Sequence, residues 1–270
     1  KRYPVAEMKH FGWLPKDVSG VELVHAFLAF FGVASFRILE DSWDLRFNAA
    51  YRKSAKKKSS KEALAVWIRA GQIQAQQIDL PEYNENSLRD AVDTIRQFTA
   101  DPNIFGDRTK KLLKEMGVAL VFVPHLQHTY ANGATYWLKK KSRPVVQLSI
   151  YHKWCDVIFF TLMHEIGHLL KHSRSEMFIE GEFHASHQER EADAFAADSL
   201  IPVVEYQNFL QESDRLTPSR VEAFSKRLGV HPCVVVGRLQ REKKISYRDY
   251  HLNRFKSRFD WAPSVIKPLE

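Results

Sequence analysis

Only two cysteines, Cys155 and Cys233, occur in 270 residues. That is too few for a disulfide framework and favours a reducing compartment, so the expected location is cytoplasmic. There is no C-x-x-C pair, and Cys155 lies about two and a half helical turns before the nearest histidine of interest, so both thiols read as small core residues. The longest apolar stretch, Ala26 to Ser35, is bracketed by His25 and Arg37. It is too short to cross a bilayer, and no membrane partner is expected. Neither a secretory signal nor an internal repeat is visible.

What remains is the composition of an ordinary globular protein, with 44% hydrophobic and 27% charged residues. A chain of this length can bury one large core or two modest ones. Lysine and arginine number 40 against 32 acids, for a net charge of +8. Much of the excess is local. Arg52, Lys53, Lys56, Lys57, Lys58 and Lys61 form a run without an acid, and Lys139, Lys140, Lys141 and Arg143 form a second cluster. Basic runs attract nucleic acid through counterion release, so contact with nucleic acid through these loops is one expectation. No aromatic residue interleaves Arg52 to Lys61, which favours the alternative of solvated loops.

The segment FFTLMHEIGHLLKH contains His164, Glu165 and His168 in the pattern H-E-x-x-H. On a helix, residues four apart share a face, so both imidazoles can hold one zinc ion while Glu165 lies beside the metal as a general base. The flanking residues predict a helix from Asp156 to His172 that is apolar around nearly its whole circumference and therefore buried. Two core histidines bonded to carbonyls are the alternative. They would carry a large desolvation cost without a shared partner.

A zinc peptidase uses three protein ligands. Lys171 and Arg174 stand where the H-E-x-x-H-x-x-G-x-x-H class has its glycine and third histidine, so the third ligand must come from elsewhere. Downstream, QEREADAFAADSLIP predicts a second helix that stops at Pro202. On a helical wheel Ala192, Phe195, Ala196 and Leu200 form its core-facing stripe. Glu189 lies on that stripe and Asp193 at its edge, which makes Glu189 the candidate ligand and Asp193 a residue that orients an imidazole. Glu191, on the opposite side, is the second choice. Surface salt bridges are the alternative for Glu189 and Asp193.

HEIGHLLKH followed by EREADAFAADSLIP resembles the ImmA/IrrE-type metallopeptidases of the gluzincin class. GATYWL, PVVQLSI and LGVHPCVVVGRLQ extend the likeness over Phe105 to Tyr250. The resemblance implies a zinc-dependent endopeptidase with one zinc ion per chain, acting on a partner repressor in a regulatory or stress circuit. Fused members carry an upstream helix-turn-helix domain. KRYPVAEMKHFGWL looks like the stretch that follows it, and the chain opens at Lys1 rather than at an initiator methionine, so such a domain is expected to precede it.

The expected fold class is α+β, mostly helical, with a small sheet packed on the buried zinc helix. Residues 1–100 form an N-terminal helical region with a regulatory role, 101–252 the metallopeptidase domain, and 253–270 a C-terminal tail. Apolar spacing predicts helices at 20–31, 61–77 and 87–99, the last capped by Ser87 and Asp90, with a short strand at 36–39. ADPNIFGDR marks the boundary, followed by a helix to Glu115 and strands at 119–123, 134–138 and 145–150. Thr217-Pro218 and His231-Pro232 each open a further helix, the second ending near Arg241. The strand at 145–150 is either an exposed edge that captures an extended peptide or a buried interior strand. Tyr136, His231 and Tyr247 are candidates to stabilise an oxyanion, each open to a purely structural reading. A competing function is a non-proteolytic transcriptional regulator or sensor with a structural zinc site, although such a site has no use for a base at Glu165.

Overall fold

A computed structural model describes residues 2–43, 59–138, 142–149, 151–180, 186–213, 215–262 and 265–268. The fold is α+β and mostly helical, with a four-stranded mixed sheet held between two sets of helices. The N-terminal helices are α1 (Val5–His10), α2 (Gly20–Phe31), α3 (Phe36–Trp43), α4 (Lys61–Gln77), α5 (Glu85–Phe98) and α6 (Pro102–Glu115). Strands β1 (Ala119–Phe122), β2 (Gly133–Leu138) and β3 (Arg143–Leu148) follow, then α7 (Cys155–Lys171), β4 (Phe178–Glu180) and α8 (His187–Leu200). The chain closes with α9 (Val203–Gln211), α10 (Pro218–Leu228), α11 (Pro232–Arg241), α12 (Tyr250–Asn253) and the hairpin β5 (Phe259–Ala262) and β6 (Val265–Pro268).

The strand order is β1-β3-β2-β4, with β1 and β3 parallel and the other pairs antiparallel. Strand β3 is therefore interior, which overturns its reading as a peptide-capturing edge. Its side chains explain the placement. Val146 and Leu148 enter one core and Val145 the other, because successive strand residues point to opposite faces and both faces are covered. Strand β2 divides likewise, with Trp137 on the α7 side and Ala134 and Tyr136 on the α4 side.

The core on the α7 face gathers Leu88 and Ile95 of α5, Phe105 of α6, and the apolar residues of α7 and α11. The opposite core joins Phe27, Phe30 and Phe31 of α2 to Trp67 and its neighbours in α4. The fully buried Trp67 donates from its indole nitrogen to the Val123 carbonyl at 3.0 Å, so the largest side chain of this core carries no unmet polar atom.

Two local expectations change. Residues 36–39 start helix α3 rather than a strand: Gly32, at φ 69°, ends α2 in a left-handed turn, and the Ser35 hydroxyl accepts the Ile38 amide as the helix restarts. Helix α5 begins earlier than its apolar spacing suggests, because Asn84 rather than Ser87 caps it, accepting the Ser87 amide. The segment Gly20–Leu39 is long and apolar enough, by length and composition, to cross a membrane, with 17% of it buried. It is interrupted at Gly32, and Phe27, Phe30, Phe31 and Leu39 pack into the core. Most of the basic run Arg52 to Lys61, and Lys139 to Lys141, lie outside the described residues. Arg143 is committed to structure, donating to the carbonyls of Ala75 and Ile78 at the end of α4.

Helix α4 meets the sheet through Gly71, where a Cβ would run into the amide of Gln147. That buried amide accepts the Tyr136 hydroxyl at 2.8 Å and donates to the Trp67 carbonyl at 2.9 Å. In an unconstrained helix interior, Gly→Ala stabilises by about 1 kcal/mol. Here Gly71→Ala is expected to destabilise by about 1–3 kcal/mol through overpacking. Urea denaturation reads the difference, and a stabilised variant would show that α4 does not sit so close to β3.

Candidate metal centre

Helix α7 forms where an apolar run without proline begins at Trp154, with Asp156 in its first turn and Lys171 in its last, both favourable to the helix dipole. Helix α8 crosses it closely. A Cβ at Gly167 would lie 3.3 Å from the Ala192 Cα and 3.0 Å from the Phe195 ring, so the glycine and the small residue set the spacing of the two helices. Ser186 caps α8 by accepting the Glu189 amide at 3.1 Å, which fixes Glu189 in the first turn facing α7.

Three ligand-type side chains converge there. His164 Nε2 lies 3.0 Å from His168 Nε2 and 3.1 Å from Glu189 Oε2, and His168 Nε2 lies 3.5 Å from Glu189 Oε1. His164 Nδ1 lies 2.9 Å from Asp193 Oδ1, whose other oxygen accepts from Arg241 at 2.7 Å. A carboxylate at Nδ1 holds a proton on that nitrogen, so a cation that displaces the Nε2 proton would meet the Nε2 lone pair facing the other imidazole. Two lone pairs and a carboxylate pointed at one spot suit a divalent cation, and this donor set of two imidazoles and one carboxylate fits zinc. Glu191 turns away to His172 at 3.3 Å and His187 at 3.0 Å, so Glu189 and not Glu191 joins the imidazoles.

Glu165 is fully buried beside this group. Its Oε2 accepts the Thr135 hydroxyl at 2.6 Å, while Oε1 has no hydrogen-bond partner among the described residues. Gly133 makes room for it, since a Cβ there would strike Oε1 and the Thr161 methyl. Burial pushes the Glu165 carboxyl well above the usual carboxylate range; the neighbouring His164 opposes this and Glu180 reinforces it. Burial drives His168 down to about 4, despite its hydrogen bond with Glu189. It pulls His164 the same way, but the Asp193 and Glu189 hydrogen bonds outweigh it and hold His164 well above an ordinary histidine.

Of the oxyanion candidates, Tyr136 points to the opposite face of the sheet and bonds Gln147, so it does not reach this centre. His231 caps α11, its Nδ1 accepting the Cys233 amide at 3.2 Å, and groups with the two cysteines instead. Tyr247 is exposed and lines a cavity of about 1100 Å³ together with Thr161, Glu180, Asp193 and Arg241.

Residues 159–240 match the Peptidase_M78 family, the IrrE N-terminal-like domain. The matched span includes His164, Glu165, His168, Glu189 and Asp193, and supports a metallopeptidase domain. No curated protein matches the chain.

Sequence reasoning missed Thr135, Glu180, Arg241 and His172. The first three come from distant segments and leave no local pattern. His172 did leave one, a further step of four after His168, and its Nδ1 lies 2.9 Å from His168 Nδ1. Glu189→Ala should remove most bound metal and Glu191→Ala should leave it in place, by elemental analysis of purified protein. Asp193→Asn should weaken metal affinity about 10–100-fold. The opposite ranking of the two glutamate variants would reverse the ligand assignment.

Proposed function

We propose that the chain is a zinc-dependent endopeptidase that cleaves a partner protein, a transcriptional repressor, in a regulatory or stress circuit. The observation that carries this reading is the pairing of a three-donor cluster with a buried, half-satisfied carboxylate at Glu165. A purely structural zinc site has four protein ligands and no base beside it. The family match over residues 159–240 supports the same reading.

His164, His168 and Glu189 would hold the metal. When bound, zinc supplies Lewis acidity that polarises a carbonyl and acidifies water. Thr135 fixes one oxygen of Glu165, so proton transfer is left to Oε1, which takes a proton from water and returns it to the leaving amine. Burial favours the protonated form of this carboxyl, which suits the return step. Asp193, anchored by Arg241, holds the His164 ring in the tautomer that presents Nε2. Tyr247, on the neighbouring cavity, is the remaining candidate to meet the oxyanion. Strand β4 ends the sheet among the described residues, and an extended segment adding beside it is the proposed mode of substrate capture.

The helices ahead of the sheet are read as a gate on this activity, with nucleic acid at the basic run Arg52 to Lys61 as a signal. Cleavage should then respond to DNA and lose that response at raised salt or on replacing Lys56, Lys57 and Lys58. Equal rates in every condition would reduce the run to a solvated loop.

The decisive comparison is wild type against Glu165→Gln with candidate repressors as substrates. The variant should keep its metal while cleavage falls about 10²–10⁴-fold. Undiminished cleavage would remove Glu165 from the chemistry. An unchanged regulatory effect of the chain on the repressor's target, with cleavage gone, would favour the non-proteolytic reading.

A further inference from the structure

The two cysteines are far apart in sequence and without any metal-binding spacing, yet the fold brings them together. The sulfurs of Cys155 and Cys233 and a ring nitrogen of His231 all lie within 4.8 Å of one another. Both cysteines are fully buried, at 0% exposure, and His231 is half-buried. Cys155 is the first residue of α7, His231 caps α11, and Cys233 is the second residue of α11, so the cluster joins two helix starts. Apolar packing accounts for a buried thiol, which behaves as a small hydrophobe. The cap on α11, in which His231 Nδ1 accepts the Cys233 amide, places the imidazole, but it does not require a second thiol, from the start of α7, to meet the same ring.

Two further features belong to this corner. Ser257 accepts the Cys155 amide on its carbonyl at 3.0 Å, and its hydroxyl lies close enough to the Cys155 thiol to influence it. That hydroxyl is buried without a hydrogen bond of ordinary geometry. An unsatisfied buried oxygen thus lies beside the sulfur of Cys155, at the edge of the cluster. Nearby, the buried carboxylate of Asp156 is already paired with Lys256 at 2.8 Å, so this ion pair brings no net charge to the cluster.

The geometry and the charge both suit a thiophilic divalent cation. Bonds of about 2.3 Å to sulfur and 2.0 Å to nitrogen place tetrahedral ligand atoms about 3.3–3.8 Å apart, so closing the cluster requires shifts on the order of 1 Å. Two thiolates and a divalent cation sum to zero with a neutral imidazole, so the buried site would carry no net charge. We propose that Cys155, His231 and Cys233 form a second metal site, distinct from the His164–His168–Glu189 cluster, that takes zinc with the Ser257 hydroxyl as an available fourth donor. Binding releases the thiol protons to solvent and leaves four protein donors around the ion, a closed structural site. It ties the start of α7 to α11 and to the backbone just before the C-terminal hairpin. The expectation of one zinc per chain then counts the first site alone.

The site does not depend on the peptidase reading, and the test separates them. The whole chain, purified reduced and equilibrated with zinc, should retain about two zinc ions per chain. The double variant His164→Ala/His168→Ala should retain about one, as should Cys155→Ser/Cys233→Ser. Cobalt exchanged into unmodified protein gives a readout that needs no variant to fold. A thiolate-to-cobalt charge-transfer band should appear in wild type and persist in the histidine variant, because the first cluster has no sulfur donor. Loss of metal from the histidine variant's cluster alone, with this band intact, would leave the second site standing whatever the fate of the peptidase reading. About one zinc in wild type together with no charge-transfer band would overturn the proposal, as would a Cys155–Cys233 disulfide in native protein by mass spectrometry.

Discussion

Two imidazoles and several carboxylates occupy an interior built from leucine, isoleucine and phenylalanine, and their mutual electrostatics constrain the elements around them. His164 and Glu165 are both at 0% exposure, on a helix whose remaining surface is almost wholly apolar. Groups of this kind are costly to bury singly, and become tolerable only when each faces a complementary partner. Asp193 and Glu189 face His164, Thr135 faces Glu165, and Arg241 closes the outer end of the chain of contacts. These partners come from β2, α8 and α11, so the electrostatic requirement of one helix positions a strand and two further helices.

Close backbone approach makes that arrangement possible. Gly167 lets α8 come near enough for Glu189 to reach both imidazoles, and Gly133 leaves the space under β2 that the Glu165 carboxylate fills. Gly71 does the same on the far face, where the Gln147 amide occupies the volume a side chain would take. Each is a contact in which the missing Cβ matters, rather than a turn that needs a left-handed backbone. Phe178, from β4, stacks on His168 with ring centroids 4.2 Å apart, so even the short edge strand holds a side chain of the centre.

The parts of this organisation that were legible in sequence were the ones written as periodicity on a single element. His164, Glu165 and His168 declare themselves by spacing, and the wheel of α8 separated Glu189 from Glu191 because one lies on the apolar stripe and the other does not. Helices α4 and α7 were legible for the same reason. What sequence could not convey was juxtaposition. Thr135 and Arg241 are ordinary residues until the fold sets them against Glu165 and Asp193. The spacing of Cys155 and Cys233 carries no metal-binding pattern, and the sheet order that makes β3 interior depends on long-range pairing. The start of the helix at Phe36–Trp43 is ambiguous in sequence because four apolar-rich residues do not distinguish a strand from the first turn of a helix.

The order β1-β3-β2-β4 also bears on how the molecule is assembled in time. Strands β2 and β3 are joined by a short connection and can pair as a local hairpin, whereas β1 must pair with β3 in parallel across the intervening β2, and β4 reaches β2 only after all of α7 has been traversed. Closing a longer loop costs more chain entropy and slows the step that requires it. The hairpin is therefore the natural nucleus, with β4 and α8 docking afterwards. Because Glu189 arrives with that later docking, a partly folded chain would hold both histidines on a helix while lacking the carboxylate that completes the trio. The three-donor cluster would then be completed only at the end of folding, and early intermediates would hold a metal weakly.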